Sequence, residues 1–259
     1  MTSWAARAHP NDEGQSAAAP NFDRLARIYR WMEMASFGPW LWWCRCHFLG
    51  EMSSCRHTLV LGDGDGRFTV RLLQTNPTVR GDAVDASPAM LRALIRRTGP
   101  NRARVQTHRA DARNWRPPSP PDDPERNLPY DLIVSHFFLD CLTSSEIRAL
   151  AVRLRAAVSP SAKWVVSEFA VPESRFGKLL ARPIVWGLYW AFGWLTGLKV
   201  RELPDHGKAL RESGFSLEMR REWLGGLLIS ELWCTTPADS APGKQTARRE
   251  FTFEMLKPC

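Results

Sequence analysis

Three glycines in alternate positions, followed after a second apolar run by an acid, form the clearest chemical pattern in the sequence. The apolar run Leu59–Leu61 stops at Gly62, and Gly64 and Gly66 follow it. A strand that ends in a glycine-rich turn before a helix lets backbone groups approach a ligand that side chains would keep away. The second apolar run ends at Asp85, about 20 residues on, where a carboxylate can hydrogen-bond a ribose. The pattern predicts a site for a nucleoside cofactor.

Alternating strand and helix patterns place this turn and this acid at one edge of a sheet. Short apolar runs predict five strands, at about 57–61, 79–85, 103–108, 130–135 and 163–168. Helices are predicted after Gly66 and over 88–97 and 144–157. Ser87 is an N-cap before a first-turn proline, and Thr143 with Glu146 forms a capping box. This alternation predicts a parallel, doubly wound α/β sheet.

Other patterns flank this alternation on both sides. Two strand patterns at 215–223 and 227–234 are joined by Gly225-Gly226, which predicts an antiparallel hairpin. Residues 21–50 predict two helices that pack over the open end of the sheet. We therefore expect one domain over 21–236, a helical insertion or lid at 173–212, a disordered tail at 1–20 and a solvated tail at 237–259.

Composition limits the classes of partner. The 259 residues carry a net charge of +8, which suits nucleic acid or an anionic membrane and equally suits an ordinary solvated surface. Six cysteines and an N-terminus without an apolar leader predict reduced thiols and a cytoplasmic protein. We expect no metal site, because no standard zinc spacing occurs among Cys44, Cys46, His47, Cys55 and His57.

Tryptophan is unusually frequent and is clustered. Seven of the twelve tryptophans fall in two windows: Trp31, Trp40, Trp42, Trp43, Trp186, Trp190 and Trp194. The second window lies in 183–198, which has no charge but is shorter than the roughly 20 apolar residues of a membrane span. Three alternatives stay open for this segment: a buried core helix, a lid over an apolar acceptor, and a helix lying on a membrane surface.

Taken together, these features resemble the class I S-adenosylmethionine-dependent methyltransferases. Five parallel strands and a hairpin form that family's sheet, and Gly62–Gly66 has its G-x-G-x-G spacing. Val84–Leu91 resembles the second motif, in which the acid, here Asp85, binds both ribose hydroxyls. After the third strand, the resemblance implies that Asp111 approaches the adenine amino group. A seven-stranded Rossmann-like fold and S-adenosyl-L-methionine as cofactor follow as expectations.

Within the family, the sequence is similar to small-molecule enzymes related to the ubiquinone and menaquinone C-methyltransferases. Phe22–Tyr29 resembles their entry helix, whose Tyr closes over the cofactor, and Leu210–Phe215 resembles the turn into their sixth strand. The resemblance covers roughly residues 22–235. It implies these cofactor-binding residues: Gly62, Asp63, Gly64, Asp65, Gly66, Asp85, Ala86, Asp111, Ala112, Ser135 and Tyr29.

One position departs from the family pattern. The family has an acid two residues before the first glycine, where this chain has Val60. The contact that this acid supports is lost or is supplied elsewhere. Asp63 and Asp65 are candidates to supply it, and the alternative is that they only cap the following helix.

The resemblance implies that residues after the fourth strand lie beside the transferred methyl group. His136 is the first candidate for a general base or acceptor contact, because an ordinary histidine pKa near ~6.5 suits proton transfer at neutral pH. The alternative is a histidine packed at a strand end. Asp140 and Glu168 are weaker candidates that could simply cap helices, and Cys141 fits a buried small residue better than a nucleophile.

We therefore predict methyl transfer from S-adenosylmethionine to a small, lipophilic acceptor, with peripheral membrane contact through 183–198 as one alternative. A non-catalytic cofactor-binding or membrane-associated protein, a nucleic-acid methyltransferase and a nicotinamide-dependent reductase also stay open. Nucleic acid is not the expected partner, because Ser135–Phe138 stands where base N-methylases of this fold carry Asn/Asp-Pro-Pro-aromatic.

Overall fold

The computed structural model describes residues 39–117, 128–171 and 204–236. The described strands are β1 (His57–Leu61), β2 (Arg80–Asp85), β3 (Val105–Arg109), β4 (Tyr130–His136), β5 (Val158–Phe169), β6 (Phe215–Trp223) and β7 (Leu228–Thr235). The described α-helices are α1 (Pro39–Cys46), α2 (Arg67–Thr75), α3 (Pro88–Thr98), α4 (Ser144–Arg155) and α5 (His206–Glu212).

The strands form one seven-stranded sheet in the order β3-β2-β1-β4-β5-β7-β6. Strands β1 to β5 are parallel, and β7 pairs antiparallel with both β5 and β6. In register, Leu61 lies between Val84 of β2 and Ser135 of β4, so these strands end at the same edge. The predicted fold class, a Rossmann-like parallel sheet completed by an antiparallel hairpin, is confirmed.

Some predicted boundaries were wrong. Strand β5 begins at Val158 rather than near 163, because Val158 already pairs with Tyr130 before an irregularity in the ladder. Strand β3 begins at Val105, since Gly99–Arg104 forms a 3-10 helix. Helix α1 ends at Cys46 instead of continuing to 50.

The central strands β1 and β4 are buried on both faces, as expected for strands that are largely apolar. Alternation along β1 directs Leu59 and Leu61 into one core cluster, with Trp164 of β5 and the buried side of α4. Val60 points to the opposite face, where it packs in a cluster that contains Phe68 of α2. The position at which the family carries an acid is therefore part of the apolar core here.

The predicted helix starts are confirmed. The Ser87 hydroxyl accepts a hydrogen bond from the Met90 amide at 3.3 Å, with Pro88 in the first turn of α3. At the start of α4, Thr143 and Glu146 form both hydrogen bonds of a capping box. These caps fix where each helix leaves the edge of the sheet at which the preceding strand ends.

A polar cluster is buried among the first four strands, on the face that carries α4. The Asp82 carboxylate lies 2.6 Å from His108 Nε2 and accepts a hydrogen bond from the Tyr130 hydroxyl at 2.7 Å. His57 stacks on the Tyr130 ring at 4.4 Å between centroids. Although burial opposes it, these hydrogen bonds hold the pKa of Asp82 well below its ordinary value.

Several predictions lie outside the described residues. They concern Tyr29 and its entry helix, the segment 183–198, the tails at 1–20 and 237–259, and the part of the insertion at 173–203. Among the described residues, no helix combines the length and the apolar character that crossing a membrane requires.

Candidate functional site

The turn after β1 depends on left-handed backbone at its three glycines. The φ angles of Gly62, Gly64 and Gly66 are 64°, 61° and 79°, a region that other residues adopt only at a cost. The Gly62 amide donates to the Val84 carbonyl at 2.9 Å, which ties the turn to β2. Gly66 is the N-cap residue of α2, so the turn leads directly into the helix.

The three glycines differ in what surrounds them. A Cβ on Gly66 would lie 2.6 Å from Leu94 Cγ of α3, and a Cβ on Gly62 would overlap the Phe138 ring. At Gly64 the nearest atom is Met90 Sδ, at 3.8 Å. Gly62 and Gly66 are therefore fixed by packing within the protein. The Gly64 amide is hydrogen-bonded to Asp85, but the space beside its Cα is open among the described residues.

The two acids within the turn hold the turn itself. The Asp63 carboxylate accepts hydrogen bonds from the Thr69 amide at 2.8 Å and the Thr69 hydroxyl at 2.6 Å, so it caps the first turn of α2. Burial raises the pKa of Asp63 to about 6. Asp65 pairs with Arg67 at 3.2 Å and with Arg97 at 2.9 Å. The contacts of Asp63 agree with the capping alternative, whereas Asp65 forms ion pairs instead, and cofactor contact by either acid stays a prediction.

Asp85 and Asp111 follow the neighbouring strands β2 and β3. The Asp85 carboxylate accepts from the Ser87 amide at 2.8 Å, and burial raises its pKa to about 6. Asp111 forms an ion pair with Arg113 at 2.6 Å. Although partial burial opposes it, hydrogen bonds from Arg113 lower the pKa of Asp111. Because β1, β2 and β3 are parallel neighbours, the glycine turn, Asp85 with Ala86, and Asp111 with Ala112 meet at one sheet edge.

The end of β4 presents two buried polar side chains to opposite faces. The Ser135 hydroxyl accepts from Trp164 Nε1 at 2.9 Å, within the core. His136 is 4% exposed, and its Nδ1 lies 2.9 Å from Ser167 Oγ of β5. Its ring meets Phe68 edge-on, with the centroids 4.4 Å apart. Among the described residues, no group hydrogen-bonds to His136 Nε2, which is also buried.

The environment of His136 changes the pKa that the sequence led us to expect. Burial, and then the positive charge of Arg45 on α1, lower the pKa of His136 well below the ordinary value. The imidazole is therefore neutral at neutral pH, which leaves one ring nitrogen with a lone pair. It is competent to accept a proton or a hydrogen bond, but as a weaker base than the sequence predicted.

The chain turns sharply after His136. Phe137 has a φ of 53°, which costs a non-glycine residue about 1–2 kcal/mol. The Arg45 guanidinium lies over its ring, 5.2 Å from the centroid. This strained residue directs the next side chain, Phe138, onto Gly62. The segment after β4 thus covers the first glycine of the turn.

The weaker catalytic candidates have structural contacts. Glu168 is 1% exposed, and its Oε1 accepts from the Phe138 and Leu139 amides at 3.1 and 2.8 Å, which caps the 3-10 helix Leu139–Cys141. Burial and then Asp140 raise the pKa of Glu168 well above its ordinary value. Burial and the same aspartate raise the pKa of the Cys141 thiol, so it stays protonated.

Sequence reasoning missed the contacts that hold α1 against the sheet. The hydroxyls of Ser167 and Ser230 both donate to the Cys44 carbonyl, at 3.3 and 2.8 Å. Serine inside a strand pattern gives no sign of such a role, so no sequence signal could have found it. Among the described residues, no group of three His, Cys, Asp or Glu side chains is arranged to hold a metal.

Comparison with known proteins agrees with this geometry. Residues 59–163 match the family model of a methyltransferase domain. No curated protein matches the sequence at a significant level. An O-methyltransferase family protein from Burkholderia thailandensis is similar in structure, with a TM-score of 0.61 and 16% identity over 85% of this chain and 62% of that one.

Two further solved structures are similar. The dimethyltransferase RosA from Streptomyces davawensis, named for N,N-8-amino-8-demethyl-D-riboflavin, has a TM-score of 0.58 and 19% identity over 84% of this chain and 62% of that one. The S-adenosylmethionine-dependent methyltransferase SibL has a TM-score of 0.56 and 21% identity over 86% of this chain and 63% of that one.

This chain spans less than two thirds of each of these structures, and at such identities the likeness shows the fold. The finer resemblance to ubiquinone and menaquinone C-methyltransferases is not confirmed by these comparisons. Residues 59–163 are therefore similar to a methyltransferase domain, and the sheet has the Rossmann-like fold of the similar structures.

Proposed function

We propose that this protein transfers a methyl group from S-adenosyl-L-methionine to a small acceptor. The observation that carries the proposal is the meeting of the glycine turn, Asp85 and Asp111 at the carboxyl edge of three adjacent parallel strands. Ligands of open α/β sheets bind at this edge, beside the point where the strand order reverses. Here that point lies between β1 and β4.

The residues present fit the cofactor. A ligand can approach the open space beside Gly64, and in this proposal the Asp85 carboxylate accepts hydrogen bonds from the ribose hydroxyls. By the family resemblance, Asp111, which follows β3, would lie toward the adenine. The cofactor supplies a methyl group already activated as a sulfonium. The work left to the protein is to align the acceptor with the donor and to exclude water.

His136 is our candidate for the residue that handles the acceptor's proton. It lies at the end of β4, beside the glycine turn in register, and its Nε2 has no partner among the described residues. A neutral, buried imidazole can accept a hydrogen bond from an acceptor hydroxyl or amine. The O-methyltransferase named among the similar structures favours an oxygen acceptor.

An apolar acceptor is the finer part of the proposal. It is supported by an aromatic cluster on α1 and the β6–β7 hairpin, where Trp40 lies 5.0 Å from Trp43 and 6.3 Å from Trp223 between ring centroids. Such rings can line a binding surface for a flat, lipophilic molecule. Cytoplasmic location and peripheral membrane contact through 183–198 stay predictions of the sequence.

Calorimetry with S-adenosylhomocysteine and NAD, each titrated into the protein, tests the cofactor. We expect the first to bind and the second not to bind. Asp85→Asn keeps an oxygen for the Ser87 amide but loses charge-assisted bonds to the ribose. A loss of about 1.5–3 kcal/mol weakens binding by roughly 10- to 150-fold. Glu222→Gln, at an exposed position, is the control. Equal binding by the two Asp85 forms would refute the ribose assignment.

A panel of quinone, phenolic and lipid acceptors, with labelled methyl donor, tests the transfer. Transfer to a member of the panel supports the proposal, and transfer to RNA or DNA alone contradicts it. A non-catalytic cofactor-binding protein is the second candidate, favoured by the buried Val60 at the position of the family's acid. Tight S-adenosylhomocysteine binding with no transfer to any acceptor would support that candidate instead.

A further inference from the structure

We propose that Ser167 is a positioning residue that holds His136 with its proton on Nδ1, which leaves Nε2 as the proton acceptor for the substrate. This inference rests on the proposed function, because methyl transfer to a hydroxyl needs a neutral histidine with a free lone pair. Ser167 would determine which ring nitrogen of His136 carries that lone pair. Ser167 is fully buried in β5 and pairs in register with His136 of β4.

The hydrogen bonds of the Ser167 hydroxyl determine the tautomer. A serine hydroxyl has one proton to donate and two lone pairs that accept. The Cys44 carbonyl lies 3.3 Å from the Ser167 hydroxyl and takes its proton in this arrangement, so in the 2.9 Å contact with His136 Nδ1 the hydroxyl accepts. The proton of the neutral imidazole therefore lies on Nδ1, and the lone pair lies on Nε2.

The surroundings of Nε2 favour the same tautomer. A proton on Nε2 would be a buried donor without an acceptor among the described residues, which proteins rarely tolerate. Arg45 is the charged group that acts on the ring, and its positive charge opposes a second proton there. Phe68 packs edge-on against the imidazole and limits its rotation.

The acceptor for the Ser167 proton is itself fixed in place. The Cys44 carbonyl also accepts from the Ser230 hydroxyl of β7 at 2.8 Å. The indole of Trp223 donates to Ser230 at 3.1 Å, and the Cys44 thiol donates to the Ile229 carbonyl at 3.2 Å. Docking of α1 on the sheet is thus linked through one serine to the protonation pattern of His136.

The chemical step balances with these groups. As the acceptor oxygen forms its bond to the methyl carbon, the carbon–sulfur bond breaks and its electron pair stays on sulfur. The hydroxyl proton passes to His136 Nε2, which gives an imidazolium with Nδ1–H still donating to Ser167. Transfer of that proton to water, once product leaves, restores the neutral ring.

The first test is the tautomer in the intact protein, measured by ¹⁵N NMR with labelled histidine and assigned with His136→Gln. We expect the Nδ1–H form in the wild type and its loss in Ser167→Ala. Ser167→Thr restores the hydroxyl and should restore the tautomer. Ser216→Ala removes a strand hydroxyl that donates to a carbonyl elsewhere and is the matched control.

The second test is the pH profile of methyl transfer. Ser167→Ala should lower kcat by about tenfold or more. It should also shift the part of the pH profile in which the rate changes as His136 titrates. Ser167→Thr and Ser216→Ala should match the wild type. An Nε2–H form in the wild type would overturn the inference, as would an unchanged tautomer in Ser167→Ala. Full activity of His136→Gln would overturn the catalytic role. The NMR measurement of the tautomer does not require methyl transfer. A protein with the expected tautomer but no methyl transfer would therefore show that the proposed function, and not the role of Ser167, is wrong.

Discussion

Two glycines of the turn are expected to be needed for different reasons, Gly66 for packing within the protein and Gly64 for the approach of a ligand. The variants Gly66→Ala and Gly64→Ala separate these reasons. Both residues have left-handed φ angles, 79° and 61°. A Cβ at Gly66 meets Leu94 at 2.6 Å from Cγ, 2.8 Å from Cβ and 2.9 Å from Cα, and the last of these is backbone that cannot rotate away. Among the described residues, a Cβ at Gly64 meets just one atom within 4 Å, Met90 Sδ at 3.8 Å.

The expected magnitudes follow from these contacts. A left-handed alanine costs about 1–2 kcal/mol at either position. The loss of unfolded-state freedom returns about 0.4–1 kcal/mol in both variants, so it cancels in their comparison. Forcing the turn and α3 apart adds about 1–3 kcal/mol at Gly66 alone. Gly66→Ala should therefore unfold more easily than Gly64→Ala by about 1–3 kcal/mol.

Urea unfolding, followed by circular dichroism on both variants and the wild type, measures the difference. With a slope of about 2 kcal/mol/M, the two midpoints should differ by about 0.5–1.5 M. Measured under conditions in which both variants are folded, the affinity for S-adenosylhomocysteine should rank in the opposite order. Gly64→Ala should bind more weakly than Gly66→Ala, because its Cβ enters the open side of the turn. Equal midpoints for the two variants would refute the packing explanation for Gly66.

Two other outcomes test buried carboxyl groups. Asp82→Asn should reduce the free energy of unfolding at pH 7 by about 1–3 kcal/mol, because the carboxylate accepts from Tyr130 and pairs with His108. Because the pKa of Asp82 is lowered in the folded protein, the stability difference between wild type and Asp82→Asn is fully present above the ordinary pKa of 3.8. The difference should narrow as the pH falls below about 4. A constant difference down to about pH 2.5 would contradict this explanation. Burial raises the pKa of Glu168 and so favours its neutral form, and Glu168→Gln should therefore unfold close to the wild type. Glu168→Ala leaves the Phe138 and Leu139 amides unpaired and should lose about 2–4 kcal/mol. If urea unfolding shows the same loss of stability for both Glu168 variants, the negative charge is needed and an oxygen that accepts from the two amides is not sufficient.

Features that depend on neighbours in the chain were predictable from the sequence. The glycine turn needs left-handed residues before a helix, and the capping box from Thr143 to Glu146 is complete within four residues. Strand and helix periods place Asp85 and Asp111 after consecutive strands, and the resemblance to the methyltransferase family implied the role of each. For this reason the fold class and the position of the candidate cofactor site were accessible without coordinates.

Features that depend on tertiary contacts were not predictable. The ordinary pKa assumed for His136 does not hold, because its burial and the approach of Arg45 come from packing of α1 and α2 against the sheet. Asp63 could be weighed between two roles, but its hydrogen bonds to Thr69 needed coordinates. Ser167 is one of many serines in the sequence, and only the register of β4 and β5 brings it to His136.

The position of β7 has a consequence for how the chain is made. Among the described strands β7 is the last to be synthesised, yet it lies between β5 and β6. In the described sheet β6 pairs with β7 alone, so it leaves the ribosome before its partner exists. Until Trp233 arrives opposite Trp164, β5 presents an unpaired edge that other chains can join. A ribosome that stalls before residue 228 would therefore release a nascent chain whose sheet lacks two strands, and this stage is where we expect chaperone dependence to concentrate.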